Sequence, residues 1–253
     1  MMKIQILELI EGAKQAEGLA VIIDVFRAFT TECYAFDRGA LLCYPVGELE
    51  EAFALKKEDP SRILMGERGG AKVEGCDLGN SPWDAVNTDF DGKEMIHSTS
   101  AGTQGIVNAA KAGAQEILTG SLVNAKAVAS YILAKRPDTV SIIAMGKAGI
   151  ESVPEDLIAA HYIRALLKGE DFPLEEEIER LRYHGAEQFF DPALAHIFPR
   201  EDYPLCVSAD RFPFVLRVEQ IKREEKEQLV IRRVDPPFCA AEGLLCKPRS
   251  TRL

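Results

Sequence analysis

The chain is poor in the side chains that most often bind transition metals. Its 253 residues include only four histidines (97, 161, 184 and 196), and its six cysteines (33, 43, 76, 206, 239 and 246) are scattered. None of them forms CxxC, and no Cys/His spacing of a zinc motif is present. Buried reduced thiols are the simplest reading of the cysteines. Long apolar runs are also missing: none approaches the roughly 18 residues of a membrane span. The opening MMKIQILELIEGAKQAEG is interrupted by Glu8 and Glu11 and has no small-residue cleavage pattern. A cytoplasmic protein without a membrane partner is therefore expected. Basic charge is in deficit, with 30 Lys and Arg against 40 Asp and Glu. Nucleic-acid binding needs a basic face to neutralise phosphates, so no nucleic-acid partner is expected. A small anionic substrate is compatible with the net charge of −10 if arginines, helix N-termini or a metal supply local positive charge. Several phosphate and hydrolase motifs are lacking as well. There is no G-x-x-x-x-G-K-[ST] loop, no G-x-G-x-x-G, no G-x-S-x-G and no Asp-x-Asp at a strand end.

What is present reads as a folded α/β chain. Apolar residues make up 47% and charged residues 28%, which suits one sizeable domain or two small ones and argues against disorder. Short apolar runs at 3–9, 19–25, 40–46, 62–66, 94–99, 115–119 and 140–145 predict strands. Helical patterns fall between them at 27–37, 48–57, 103–112, 122–135 and 155–168. Gly39, Gly113 and Gly169 stand where helices would stop. The alternation predicts a layered α/β/α fold around a largely parallel or mixed sheet. After about residue 170 the pattern changes. An acidic surface helix is expected in GEDFPLEEEIERLRYHG, and residues 214–235 alternate around a charged middle as a hairpin would. This gives a main unit over 1–218, with a soft boundary near 170, and a hairpin-like appendage over 219–253.

In such a fold, ligands bind at the carboxyl ends of the strands. Five strand-to-helix junctions carry unusual polar groups. In IIDVFRAFTT, Asp24 ends a strand as an N-cap or a cation ligand. Arg27 opens the next helix, where the macrodipole disfavours it unless an anion or acid is near. In GERGGAKVEGCDLGNSPWD, glycines allow close approach of backbone N–H groups to an anion. There Glu67 is a candidate ligand or base, Arg68 a candidate anion clamp, and Asp77 a carboxylate set by the Asn80-Ser81 turn. In HSTSAGTQG, Ser100, Gly102 and Thr103 stand at a helix start fit for an anion, with capping by Ser100 as the plain alternative. In LTGSLVNAKAVA, Ser121 reads as a cap and Asn124 sits one turn inside. In ESVPEDLIAAHYI, Ser152 and Glu155 match a capping box, so Glu155 reads as structural, whereas Asp156 is free to bind a metal or accept a proton. Each junction has an ordinary structural explanation. Together they hold the inventory for a phosphate bridged to Mg²⁺.

These segments, in this order, resemble the 2-phosphosulfolactate phosphatase family over roughly residues 20–170, and SADRFPFVL is similar to a segment near the end of many members. The resemblance implies a Mg²⁺-dependent phosphatase that releases phosphate from 2-phosphosulfolactate on the way to coenzyme M. It carries Asp24, Arg27, Glu67, Arg68, Asp77, Asn80, Ser81, Asn124, Glu155 and Asp156 onto motif positions. Catalytic roles are expected of Asp24, Glu67, Asp77 and Asp156, with Asp24, Glu67 and Asp156 as metal ligands. The substrate is expected against Arg27, Arg68, Asn80, Ser81, Ser100, Gly102, Thr103, Ser121 and Asn124. Many members read Thr-Asn-Gly-Thr where this chain reads Ser100-Ala101-Gly102-Thr103, a change that bears on the substrate more than on the chemistry. A phosphatase for another organic phosphate and a non-catalytic anion-binding protein are the competing readings, and a homo-oligomer is compatible with all of them.

Overall fold

Runs of β-branched and leucine residues build the strands, and glycines close several of the helices. The computed structural model describes residues 2–223 and 226–235. In chain order the elements are β1 (Lys3–Glu8), α1 (Leu9–Ala13), β2 (Leu19–Ile23), α2 (Ala28–Asp37), β3 (Leu42–Pro45) and α3 (Leu49–Glu58). Then come β4 (Ile63–Arg68), β5 (Ala71–Lys72), α4 (Pro82–Val86), β6 (Glu94–Ser98), α5 (Gly102–Ala112) and β7 (Glu116–Gly120). The rest are α6 (Ala125–Lys135), β8 (Thr139–Ala144), α7 (Pro154–Lys168), α8 (Leu174–Leu181), α9 (Asp202–Cys206), β9 (Val215–Arg223) and β10 (Lys226–Val234). The expected strands and helices are all present, and α8 is the acidic surface helix. Gly113 and Gly169 take the left-handed conformation after α5 and α7, a position where glycine avoids the Cβ clash. Among the described residues no helix is long and apolar enough to cross a membrane.

All strands join in the order β1-β8-β2-β7-β9-β10-β3-β6-β4-β5. β1, β8, β2 and β7 are mutually parallel, and so are β3, β6 and β4. Between these halves lies the antiparallel β9–β10 pair expected from 214–235. It is antiparallel to both neighbours, so the two parallel halves run in opposite senses. Its root is part of the sheet, because Val215, Leu216, Val230 and Ile231 are fully buried. The burial of β9 fades toward Lys222 and Arg223. The boundary expected at 218/219 falls inside β9.

The sheet is covered on both faces, as its apolar strands require. Leu19, Val21 and Ile23 of β2 pack with α6 and α7 in one core. Ala20 and Ile22 point the other way, into a core built from α1, α2, α4 and α5. That second core also takes Cys43, Met65 and Met95 from the far half of the sheet and Leu216 and Ile231 from the hairpin. One face of nearly every strand thus surrounds the same helices, so the sheet wraps around α2 and α5. Wrapping, with the right-handed twist of about 20–25° per strand, brings the carboxyl ends of β2, β4 and β6 together although the halves run in opposite senses.

Candidate active site

Three buried carboxylates meet where β2 ends. Asp24 follows the strand and turns the chain into α2, with its Oδ1 accepting the Ala28 N–H at 3.0 Å. Asp156, in the first turn of α7, accepts the Val25 N–H on Oδ1 and the Gly146 N–H on Oδ2, both at 2.8 Å. It therefore ties the end of β2 to the chain leaving β8. Glu155 is next to it, with Oε2 buried and without a partner. Exposures are 7%, 6% and 2% for Asp24, Glu155 and Asp156. Burial raises each carboxyl to about 8 from ordinary values near 4, since it penalises the charged form. Neighbouring charge adds to this, from Asp156 and Glu67 on Asp24, from Asp24 and Glu187 on Glu155, and from Glu155 on Asp156. Backbone N–H donors oppose it. None of the described residues donates to Asp24 Oδ2. A buried group of like charges is relieved by protonation or by an opposite charge.

The capping box expected at Ser152 and Glu155 does not form. The helix begins after Val153, and the Ser152 hydroxyl donates instead to Glu8 Oε2 at 2.6 Å. Glu155 is thereby released from a capping role and turned inward.

The opposite wall comes from β4 and the start of α5. Gly69 and Gly70 both have positive φ and form the two-residue turn between β4 and β5, a turn that needs that backbone twice in succession. The turn leaves Glu67 buried near the end of β4. Glu67 accepts the Gly70 N–H on Oε2 at 2.7 Å and the Ser100 N–H on Oε1 at 2.6 Å. It thus joins β4 to the segment entering α5. Thr99 Oγ1, rather than Ser100, accepts the Thr103 N–H at 3.2 Å and caps that helix. At Gly102 a Cβ would lie 2.8 Å from the Phe29 ring and 3.1 Å from Asp24 Oδ2. Glycine there lets the N-terminus of α5 come against the Asp24 carboxylate.

Arg27 is nearly fully buried. Its Nη1 donates to Asp202 Oδ2 at 2.7 Å and to the Ile197 carbonyl at 2.9 Å, while Nη2 donates to the Gly70 carbonyl at 2.6 Å. It connects the β4–β5 turn to the 197–202 segment. Asp202 also accepts the Ser81 hydroxyl and the Trp83 N–H on Oδ1. Burial keeps the Asp202 carboxyl above its usual range even beside Arg27. Arg68 donates to the Glu67 and Gly47 carbonyls and to Ser98 Oγ. The donors named for both arginines thus meet protein oxygens.

The remaining expected residues divide. The Asn80 carbonyl accepts the Thr31 hydroxyl of α2, and its Oδ1 is buried without a partner. Ser121 donates its N–H to Asn124 Oδ1 at 3.0 Å, and its hydroxyl meets Thr30 Oγ1 at 2.6 Å. Ser121 and Asn124 are fully buried and shape the turn from β7 toward α6. Asp77 does not join the other carboxylates. It accepts Lys56 Nζ at 2.7 Å and the Leu64 N–H at 2.8 Å, on the α3 side, with 44% of its side chain exposed. The turn expected to hold it binds Asp202 and α2 instead.

Two groups carry no motif in the sequence. Asp202 lies in the irregular 186–206 stretch, without a motif. Glu32 of α2 and His97 of β6 form a fully buried pair, Oε1 to Nδ1 2.8 Å, beneath Asp24. A histidine inside an apolar strand run was the one visible hint.

Against known proteins, a family model described as 2-phosphosulpholactate phosphatase matches residues 4–220. A probable 2-phosphosulfolactate phosphatase of Carboxydothermus hydrogenoformans is 44% identical over 167 residues, 66% of this chain and 68% of the relative. One of Caldicellulosiruptor saccharolyticus is 36% identical, covering 62% of this chain and 65% of the relative. One of Bacillus subtilis is 32% identical over 204 residues, 79% of this chain and 86% of the relative.

Proposed function

Because the chain belongs to the 2-phosphosulpholactate phosphatase family, we propose that it hydrolyses a small phosphomonoester, with 2-phosphosulfolactate, the compound in its relatives' names, as first choice. One observation carries the reading: the free Asp24 Oδ2 faces the start of α5 at Gly102, inside a group of buried carboxylates. The Gly102 and Gln104 N–H groups at the start of α5 have no helical partner and would bind phosphate oxygens, whereas the Thr103 N–H is held by Thr99 Oγ1. Asp24 Oδ2 is the oxygen placed to take a proton from water or to attack phosphorus. Asp156 fixes the ends of β2 and β8 so that this oxygen keeps its position. Glu67 holds the entry to α5 against β4. Arg27 and Arg68 contribute positive potential and bind the surrounding loops. Asp24 Oδ2 would hold a Mg²⁺ that offsets charge developing on the phosphate; among the described residues only Glu32, Cys43 and His97 stand at three-ligand spacing. Ala101 is buried at the start of α5 and has no side-chain amide to offer the substrate.

Phosphate release tests the proposal. 2-Phosphosulfolactate, phospholactate, the phosphoglycerates and a chromogenic phosphomonoester are assayed with Mg²⁺ and with EDTA. The highest kcat/KM is expected on 2-phosphosulfolactate, with EDTA abolishing release. Release from other esters alone would replace the substrate. No release by folded protein from any of them would remove the phosphatase reading.

A further inference from the structure

Beneath the carboxylate group the central core contains a second polar cluster that the proposed chemistry does not use. Glu32 (α2), Cys43 (β3) and His97 (β6) are each 0% exposed. Glu32 Oε1 lies 2.8 Å from His97 Nδ1 and 3.9 Å from Cys43 Sγ, and one ligand atom from each residue falls within 4.8 Å of the others. Two buried atoms there have no partner, Glu32 Oε2 and His97 Nε2. A buried carboxylate needs its lone pairs satisfied, and an unpaired buried polar group points to an ion or a water. The same core holds the apolar Phe29, Phe90, Met65 and Met95 and a second thiol, Cys33.

We propose that Glu32, Cys43 and His97 form an internal site for a borderline-soft divalent cation, Zn²⁺ first, separate from the carboxylate edge. The donors are one thiolate sulfur, one imidazole nitrogen and one carboxylate, the set that zinc prefers and Mg²⁺ does not. With zinc bonds of about 2.0–2.3 Å, tetrahedral ligands stand about 3.3–3.7 Å apart. The carboxylate–imidazole contact would open by about half an ångström and the carboxylate–thiol contact would close slightly. Binding releases the thiol proton to solvent, and the imidazole keeps its single N–H on the nitrogen that does not bind, which leaves a thiolate, a carboxylate and a neutral imidazole. A water enclosed with the metal would complete the tetrahedron. No motif marks the site, because Glu32 and His97 are 65 residues apart. Its burial means that the metal enters as the chain folds.

The test uses the full chain, made in zinc-supplemented medium and purified without chelator. About one zinc per chain is expected by elemental analysis. Cys43→Ser refolded with zinc should bind more than about 100-fold more weakly, beyond the upper range for losing an outer-shell partner. Asp24→Asn should keep its zinc. A second measurement needs no variant: protein refolded with Co²⁺ should show a thiolate-to-cobalt charge-transfer band. Zinc below about 0.1 per chain, full zinc retention in Cys43→Ser, or no charge-transfer band overturns the site.

Discussion

Two buried acidic groups flank the start of α2, and they differ in what meets them. At the end of β2, Asp24, Glu155 and Asp156 share one sign and have exposures of 2–7%. Backbone N–H groups hold Asp24 and Asp156 in place, Asp24 Oδ2 meets no donor among the described residues, and Glu155 Oε2 is buried without a partner. Behind them Glu32 is sealed at 0% exposure against an imidazole and a thiol. An acid at a sheet edge can be completed by a cation or substrate arriving from solvent. An acid in the core must be completed by the protein or by an ion enclosed during folding. The first arrangement suits exchange and turnover, and the second suits permanence.

The largest expected effect separates the two groups directly. Asp24→Asn should lower kcat by about 10²–10³-fold or more, comparable to removing a main transition-state contact. In EDTA at pH 8 the same variant should melt higher than wild type, because a like charge leaves a buried group. A lower melting temperature under those conditions would mean that the three carboxylates do not repel one another. Gly102→Ala is next. Its Cβ would crowd Phe29 and Asp24 Oδ2, so kcat should fall about 10²-fold, as small misplacements at a reacting centre do. Steady-state kinetics showing unchanged kcat would detach α5 from the site.

In the core the loss should appear in stability rather than rate. His97→Gln should cost about 1–3 kcal/mol by leaving Glu32 poorly paired, read from urea unfolding, with kcat changed less than about tenfold. A larger loss of kcat would make the two groups one functional unit. The smallest effect is on pH. Without a cation the carboxyls at the edge have folded pKa values of about 8, above their unfolded values near 4. The native state then holds more protons between these values, so stability is greatest below about pH 4 and falls as pH rises through about 8. Between pH 6 and 9 the melting temperature in EDTA should drop by about 4 °C or more, the shift given by about 1–2 kcal/mol in a chain of this size. Mg²⁺ should reduce the drop, and an equal drop with Mg²⁺ would deny it the carboxylate edge.

Much of the framework was legible because its signals are local. β2 reads as a strand from five consecutive apolar residues, and Gly113 and Gly169 mark helix ends through a backbone requirement of their own. Asp24 and Asp156 were legible because strand-to-helix junctions are where a parallel sheet gathers its ligands. Glu155 was misleading for a local reason: Ser152 has the spacing of a capping partner, but in the fold its hydroxyl reaches Glu8 of β1. Asp77 sits in the same glycine-rich segment as Glu67, yet its carboxylate binds α3 at Lys56. Asp202 carries no local pattern at all, and only Arg27, Ser81 and Trp83 around it give it a role.

By itself the sequence determined the elements, their alternation and which loops carry chemistry, since all of these follow from side-chain periodicity and backbone preference over a few residues. Only the tertiary structure decided which polar groups meet. Val25 and Asp156 are 131 residues apart, Arg27 and Asp202 are 175 apart, and Glu32 and His97 are 65 apart. These pairs form because the sheet wraps around α2 and α5 and excludes water between them, and no single segment contains that exclusion.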